Sequence, residues 1–138
     1  MAASSLRDHG TPQGRVVLWT AIDPLGRQVC LTDDVWNRKA ANRPELRDYF
    51  TEIRETVERP NAGIFEDAIS TRQKNPGVAV ETFFSQGRCR GDFAHCYLQV
   101  SVKFVPEEDA PNGTRGYVQT AILASDVQKR FVRRIWPL

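Results

Sequence analysis

The chain has 138 residues, 41% of them hydrophobic and 26% charged, a mixture that builds an ordinary core and excludes a disordered or fibrous chain. Its formal net charge is only +2, so a case for a polyanionic partner rests on where the cations stand and not on their total. Three cysteines (Cys30, Cys89 and Cys96) and no apolar run long enough for a signal peptide or a membrane span predict a reduced, cytoplasmic protein with no membrane partner.

Residues 1–14 are small and polar with Gly and Pro. They predict a flexible N-terminus ahead of a single domain over 15–138, and His9 within them has no apolar setting. VVLWTAI (16–22), the turn DPLG (23–26) and QVCLT (28–32) read as a β-hairpin. Thr32 then caps a helix whose first turn carries Asp33 and Asp34, complementing the macrodipole, and which runs to about Ala41. The break that follows is Arg43-Pro44-Glu45. Proline fits the first turn of a new helix and pushes the residue before it towards extended geometry, which places Arg43 at a helix mouth, a setting suited to an anion such as phosphate. In the second helix Leu46, Tyr49, Phe50, Ile53 and Val57 recur at i, i+3, i+4, i+7 and i+11 and form the core face, and Arg59-Pro60-Asn61 ends it.

After Pro60 the period changes to two. GIFEDAIS (63–70), VAVETFFS (78–85), HCYLQVSVKFV (95–105) and RGYVQTAILAS (115–125) are separated by turn-rich stretches and predict four antiparallel strands. The expected fold is therefore α+β, with an N-terminal hairpin and two helices packed on a four-stranded antiparallel meander. A short C-terminal helix closes the chain, capped by Ser125, with Val127, Phe131 and Ile135 on one face.

The third of these strands separates an apolar row (Cys96, Leu98, Val100, Val102, Phe104) from a polar one (His95, Tyr97, Gln99, Ser101, Lys103). The polar row is either the wet side of an ordinary antiparallel strand or a set of proton-transfer and phosphate-binding groups. Cys89, His95 and Cys96 match no zinc-ligand spacing and lack a fourth ligand, so no metal is expected. Lys129, Arg130, Arg133 and Arg134 crowd the last ten residues. They form either a solvated basic tail or a patch facing phosphates.

In this order the elements resemble the ribonuclease-like domains of the barnase, EndoU, colicin and RelE superfamily, found in phage-associated and toxin proteins. The resemblance is carried by Trp36 followed seven residues later by Arg43-Pro44-Glu45-Leu46, a helix ended by Pro60, the central strand LQVSVKF and the last strand Val118-Gln119-Thr120-Ala121-Ile122. It spans residues 28–124. Where the pattern has histidine before Pro-Glu this chain has Arg43, and a second frequent histidine, two residues after the tryptophan, is Arg38. Arginine keeps the cation but cannot accept a proton near neutral pH.

The resemblance implies an endoribonuclease that needs no metal or cofactor, in which the 2′-hydroxyl attacks its own phosphodiester. It also implies an immunity-type or antitoxin protein as a second partner beside RNA. The chemistry requires a base, an acid and cations around the transition state. His95 is the expected acid or base. Arg43 and Lys103 are expected to hold the phosphate and Thr120 to hydrogen-bond a nonbridging oxygen. Arg38, Tyr97 as a base-stacking ring, and Lys129, Arg130, Arg133 and Arg134 complete the expected RNA contacts. The competing expectation, favoured by the loss of both motif histidines, is a binding module for RNA or protein with an eroded acid–base pair. Convergence of Arg43, His95, Lys103 and Thr120 in one concave site would separate the two.

Overall fold

The computed structural model describes residues 16–72, 77–126 and 133–137. Strand β1 (Val17–Ile22) and strand β2 (Gln28–Thr32) form the expected hairpin. Its turn is fastened by the buried Asp23 carboxylate, which accepts the backbone N–H groups of Leu25 and Arg27 and the Nε–H of Arg27 at 2.8 to 3.0 Å. Helix α1 (Asp33–Asn42) follows at once. Thr32 makes no cap bond to it and donates instead to Asp34 at 2.7 Å, while Asp33 accepts the N–H groups of Val16 and Asp34. These bonds tie the helix start to the first strand.

At the proline break Arg43 takes φ −134° and ψ 82°, out of the helical region that a following proline disfavours though short of a fully extended ψ. Pro44–Tyr49 then form a 3₁₀ segment and Phe50–Glu58 form helix α2, so the second predicted helix is really two pieces. Leu46, Tyr49, Ile53 and Val57 are buried in one cluster with Leu98, Val100 and Val102, and Phe50 packs at its rim, 5.0 Å edge-on from Trp36. Burying this stripe gives α2 its stability, since nine residues alone would not hold a helix in water.

The remaining elements are β3 (Ile64–Glu66), α3 (Ala68–Arg72), β4 (Ala79–Gln86), β5 (Tyr97–Pro106), β6 (Thr114–Ala124) and β7 (Arg134–Trp136). All seven strands join one sheet in the order β1-β2-β6-β5-β4-β3-β7. The expected four-stranded antiparallel meander with two helices packed on it is therefore corrected, among the described residues, to a seven-stranded mixed sheet with three α-helices. Three departures account for the difference. The hairpin belongs to the sheet, because β2 runs parallel to β6 through Val29↔Gly116 and Cys30↔Tyr117. The predicted strand 63–70 stops at Glu66, where the buried Asp67 accepts the N–H and hydroxyl of Ser70 and starts α3. Finally, Ile135 lies in strand β7 and not in a C-terminal helix. Without β7 the short strand β3 would end the sheet with open backbone groups, and the Arg133 carbonyl accepts the Glu66 N–H there at 3.0 Å while Trp136 pairs with Ile64. Residues 127–132 of the predicted helix lie outside the described residues, as does the predicted flexible segment 1–14.

A cationic cleft between α1 and a bulged strand

The pairing of β2 with β6 lasts two residues, Val29 and Cys30; β2 runs on beside β1 alone to Thr32, where the chain turns into α1. The gap left beside β6 is a cleft of about 490 Å³. Thr32, Asp34, Val35, Arg38 and Lys39 line one wall, and Lys103, Val105, Tyr117, Val118, Gln119 and Thr120 line the other.

A β-bulge builds the second wall. Ser101 pairs with Thr120 and Val102 with Val118, so Gln119 has no residue opposite it. Tyr117 and Thr120 are three apart, an odd spacing that would send them to opposite faces of a regular strand. The extra residue sets both on the face of β5 that carries Ser101 and Lys103. Tyr117 is then held by its hydroxyl, which donates to Glu107 at 2.6 Å. Glu107 is buried and also accepts Arg115, whose Nε and Nη2 donate to Gln28 at 3.1 and 3.0 Å. One wall of the cleft is thus braced through the β2–β6 junction.

Three cations, Arg38, Lys39 and Lys103, face one carboxylate, Asp34, which accepts the Thr32 hydroxyl. None of the three cations has a carboxylate partner among the described residues, whereas Arg27, Arg54, Arg88, Arg90, Arg115 and Arg133 all do. Half-buried hydrogen-bonding groups beside unpaired cations suit an oxyanion.

Of the residues singled out in the sequence, Arg38, Lys103 and Thr120 come together here. Arg43 does not line the cleft. It is exposed at the end of α1, one turn beyond Lys39, to whose carbonyl its N–H donates at 2.9 Å. His95 is exposed in the turn before β5, its Nε2 3.7 Å from the Cys96 sulfur, and the strand running from Tyr97 spans about 13 Å to Ser101, the partner of Thr120, and about 20 Å to Lys103. Tyr97 packs edge-on against Phe84, ring centroids 6.5 Å apart. Gln99 and Ser101, read as part of a polar face, are buried. Arg133 pairs with Glu66 at 2.8 Å and the Arg134 guanidinium lies 5.9 Å from the Phe65 ring, both at the β7 edge, four strands from β6. Lys129 and Arg130 lie outside the described residues.

Lys39 and Tyr117 were not among the sequence's candidate site residues, and Gln119 stood there only as part of the last-strand motif; the placing of Tyr117 and Gln119 follows from a bulge, which depends on the partner strand. Among the described residues no helix is long and apolar enough to cross a membrane, and no three His, Cys, Asp or Glu side chains gather as metal ligands. No protein-family model, curated protein or solved structure matches the chain.

Proposed function

We propose that this protein binds RNA through its phosphodiester backbone in the cleft between α1 and β6, as a module of the ribonuclease-like kind that lacks a working acid–base pair. One observation carries the reading. Arg38, Lys39 and Lys103 converge without carboxylate partners beside the Thr120 hydroxyl, while His95, the one histidine among the described residues, stands at the other end of β5. Cations and a hydroxyl are sufficient to hold a phosphate. Cleavage by the 2′-hydroxyl also needs a group that exchanges a proton near neutral pH, and a distant histidine cannot reach the reacting atoms.

Fluorescence anisotropy with a labelled single-stranded oligoribonucleotide tests the reading. Binding should weaken with salt, and Lys103→Gln should flatten the dependence of log K on log salt by about 0.7, the share of one phosphate contact on a single strand. An unchanged slope places the footprint elsewhere. The same RNA incubated in EDTA should stay intact; products ending in cyclic phosphate would reinstate the endoribonuclease reading, with Lys103 or Tyr117 taking the proton-transfer role.

A further inference from the structure

The cleft accounts for three of the unpaired cations, and others continue from it along the chain. Arg72 aside, whose side chain lies outside the description, the cations without a carboxylate partner among the described residues are Arg38, Lys39, Arg43, Arg47, Arg59, Lys103 and Arg134. Five of these seven lie on the cleft or on the α1–3₁₀ segment that leaves it. Arg43 follows Lys39 by one helical turn, about 6 Å along the axis. Arg47 lies four residues beyond Arg43, within the 3₁₀ segment that begins at Pro44. Both arginines are exposed. An unpaired guanidinium on the surface is commonplace. Here, though, the arginines of α2, the β4–β5 connection and the start of β6 are each neutralised by a nearby acid, and those along this segment are not.

The acids of the same segment lie to one side. Glu45 and Asp48 line a separate hollow with Tyr49 and Arg90, where the Arg90 guanidinium stacks 4.6 Å from the Tyr49 ring and pairs with Glu52. They mark where favourable potential for a polyanion ends.

On the RNA-binding reading above, we infer that the cleft is the head of a linear track. One nucleotide's phosphate sits among Arg38, Lys39 and Lys103, and the phosphates next to it along a single strand are held by Arg43 and then Arg47. The ligand class is therefore a single-stranded oligonucleotide of several residues, and not a free nucleotide or a duplex. A cleft of about 490 Å³ has the scale of one small-molecule ligand. It admits a splayed nucleotide but not a base-paired helix, and the bulk of the affinity comes from charges strung along a backbone. Arg43 thereby acquires a role that needs no proton transfer, consistent with arginine standing where the resembled pattern has histidine.

The test compares a nucleoside monophosphate, a single-stranded pentamer and a duplex of equal length on the full chain, with Arg43→Gln/Arg47→Gln and Lys103→Gln as variants. The expected result is that the pentamer binds far more tightly than the monophosphate or the duplex. The double variant should lower pentamer affinity about tenfold and flatten its salt slope by about 1.4, two contacts' worth, with a far smaller drop for the monophosphate. Thermal melts should be unaltered, since both side chains are exposed. If the double variant leaves pentamer affinity and slope unchanged while Lys103→Gln lowers both, the track is overturned and the cleft reading stands. If Lys103→Gln also changes nothing, the cleft reading falls and the track with it. A duplex that binds as tightly as the single strand overturns the single-strand assignment.

Discussion

Lys103 on β5 lies directly across from Tyr117 on β6, and the bulge at Gln119 brings Thr120 onto the same face two rows away. Sheet and bulge together convert a strand that alternates apolar and polar residues into one wall of a cationic cleft. The first prediction concerns the smallest group in that wall. Thr120→Val keeps the β-branched shape and removes the hydroxyl, so the bulge and its packing should survive. The loss of one hydrogen bond to phosphate, about 1 kcal/mol, should weaken RNA binding roughly fivefold. Anisotropy titration beside a thermal melt checks this, and a fall in melting temperature matching the loss of binding would show that the hydroxyl serves the fold instead.

Arg27 offers a test of the core. Its guanidinium lies between Asp23 and Glu81, each at 2.8 Å, and stacks 4.0 Å from the Phe104 ring. Burial works against the charge, but the two carboxylates outweigh it and hold the Arg27 pKa above its ordinary value. Arg27→Met should cost about 3–5 kcal/mol, because it leaves two largely buried carboxylates without their counter-ion. Chemical denaturation measures this directly. A loss under about 1 kcal/mol would mean that the acids find water or each other's protons at little cost.

What could be read from the sequence was local. The stripe Leu46, Phe50, Ile53 and Val57 and the alternation through Leu98, Val100 and Val102 are written in neighbouring residues, and the structure buries Ile53 and Val100 in one cluster. The parallel contact of Val29 with Gly116 joins positions 87 residues apart, and nothing near either residue announces it. Gly116 itself answers to β5: a Cβ there would stand 2.7 Å from a Val102 methyl carbon and 2.8 Å from the Phe104 ring, so glycine leaves room for those two side chains. The segment ending in Ile135 has a helical period, yet β3's open edge claims Arg134–Trp136 as a strand. Lys103 and Thr120 were legible as candidate phosphate contacts by residue type and Arg38 by its place in the resembled pattern, but their meeting depends on β2 parting from β6, and Gln119's unopposed position depends on register. Arg43 was placed at the helix mouth by the proline that follows it, one turn short of the cleft.

Cys30 predicts how stability changes in alkali. Burial pushes its thiol pKa up, opposed by the contact with the Thr20 hydroxyl oxygen at 3.4 Å and by the charge of Arg115. The folded state therefore keeps the proton to higher pH than the unfolded chain, whose thiol ionises near pH 8.5. Stability from the neutral buried thiol is complete below that pH and is lost as pH rises towards the higher folded value. Thermal melts from pH 7 to 10 should show a steeper decline for the native chain than for Cys30→Ala. Parallel curves would show that the decline has another source.

His95 is the residue for which chemistry and position disagree most. By type it is the natural proton carrier for RNA cleavage, and its place at the head of β5 made it the expected acid or base. In the fold it is exposed, it touches the buried Cys96 sulfur at 3.7 Å, and the strand from Tyr97 to Ser101 and on to Lys103 sets it about 13 Å short of Thr120 and about 20 Å short of Lys103. No side-chain rotation covers those distances. His95→Ala should therefore leave RNA affinity, its salt slope and its pH dependence as they are in the native chain. Lys103→Gln, measured in the same series, should lower affinity at every pH tested. If His95→Ala instead removes a pH-dependent cleavage or binding step, the working surface lies at the β5 entrance, around the polar turn that holds His95, and the cleft beside α1 is only a groove in the fold.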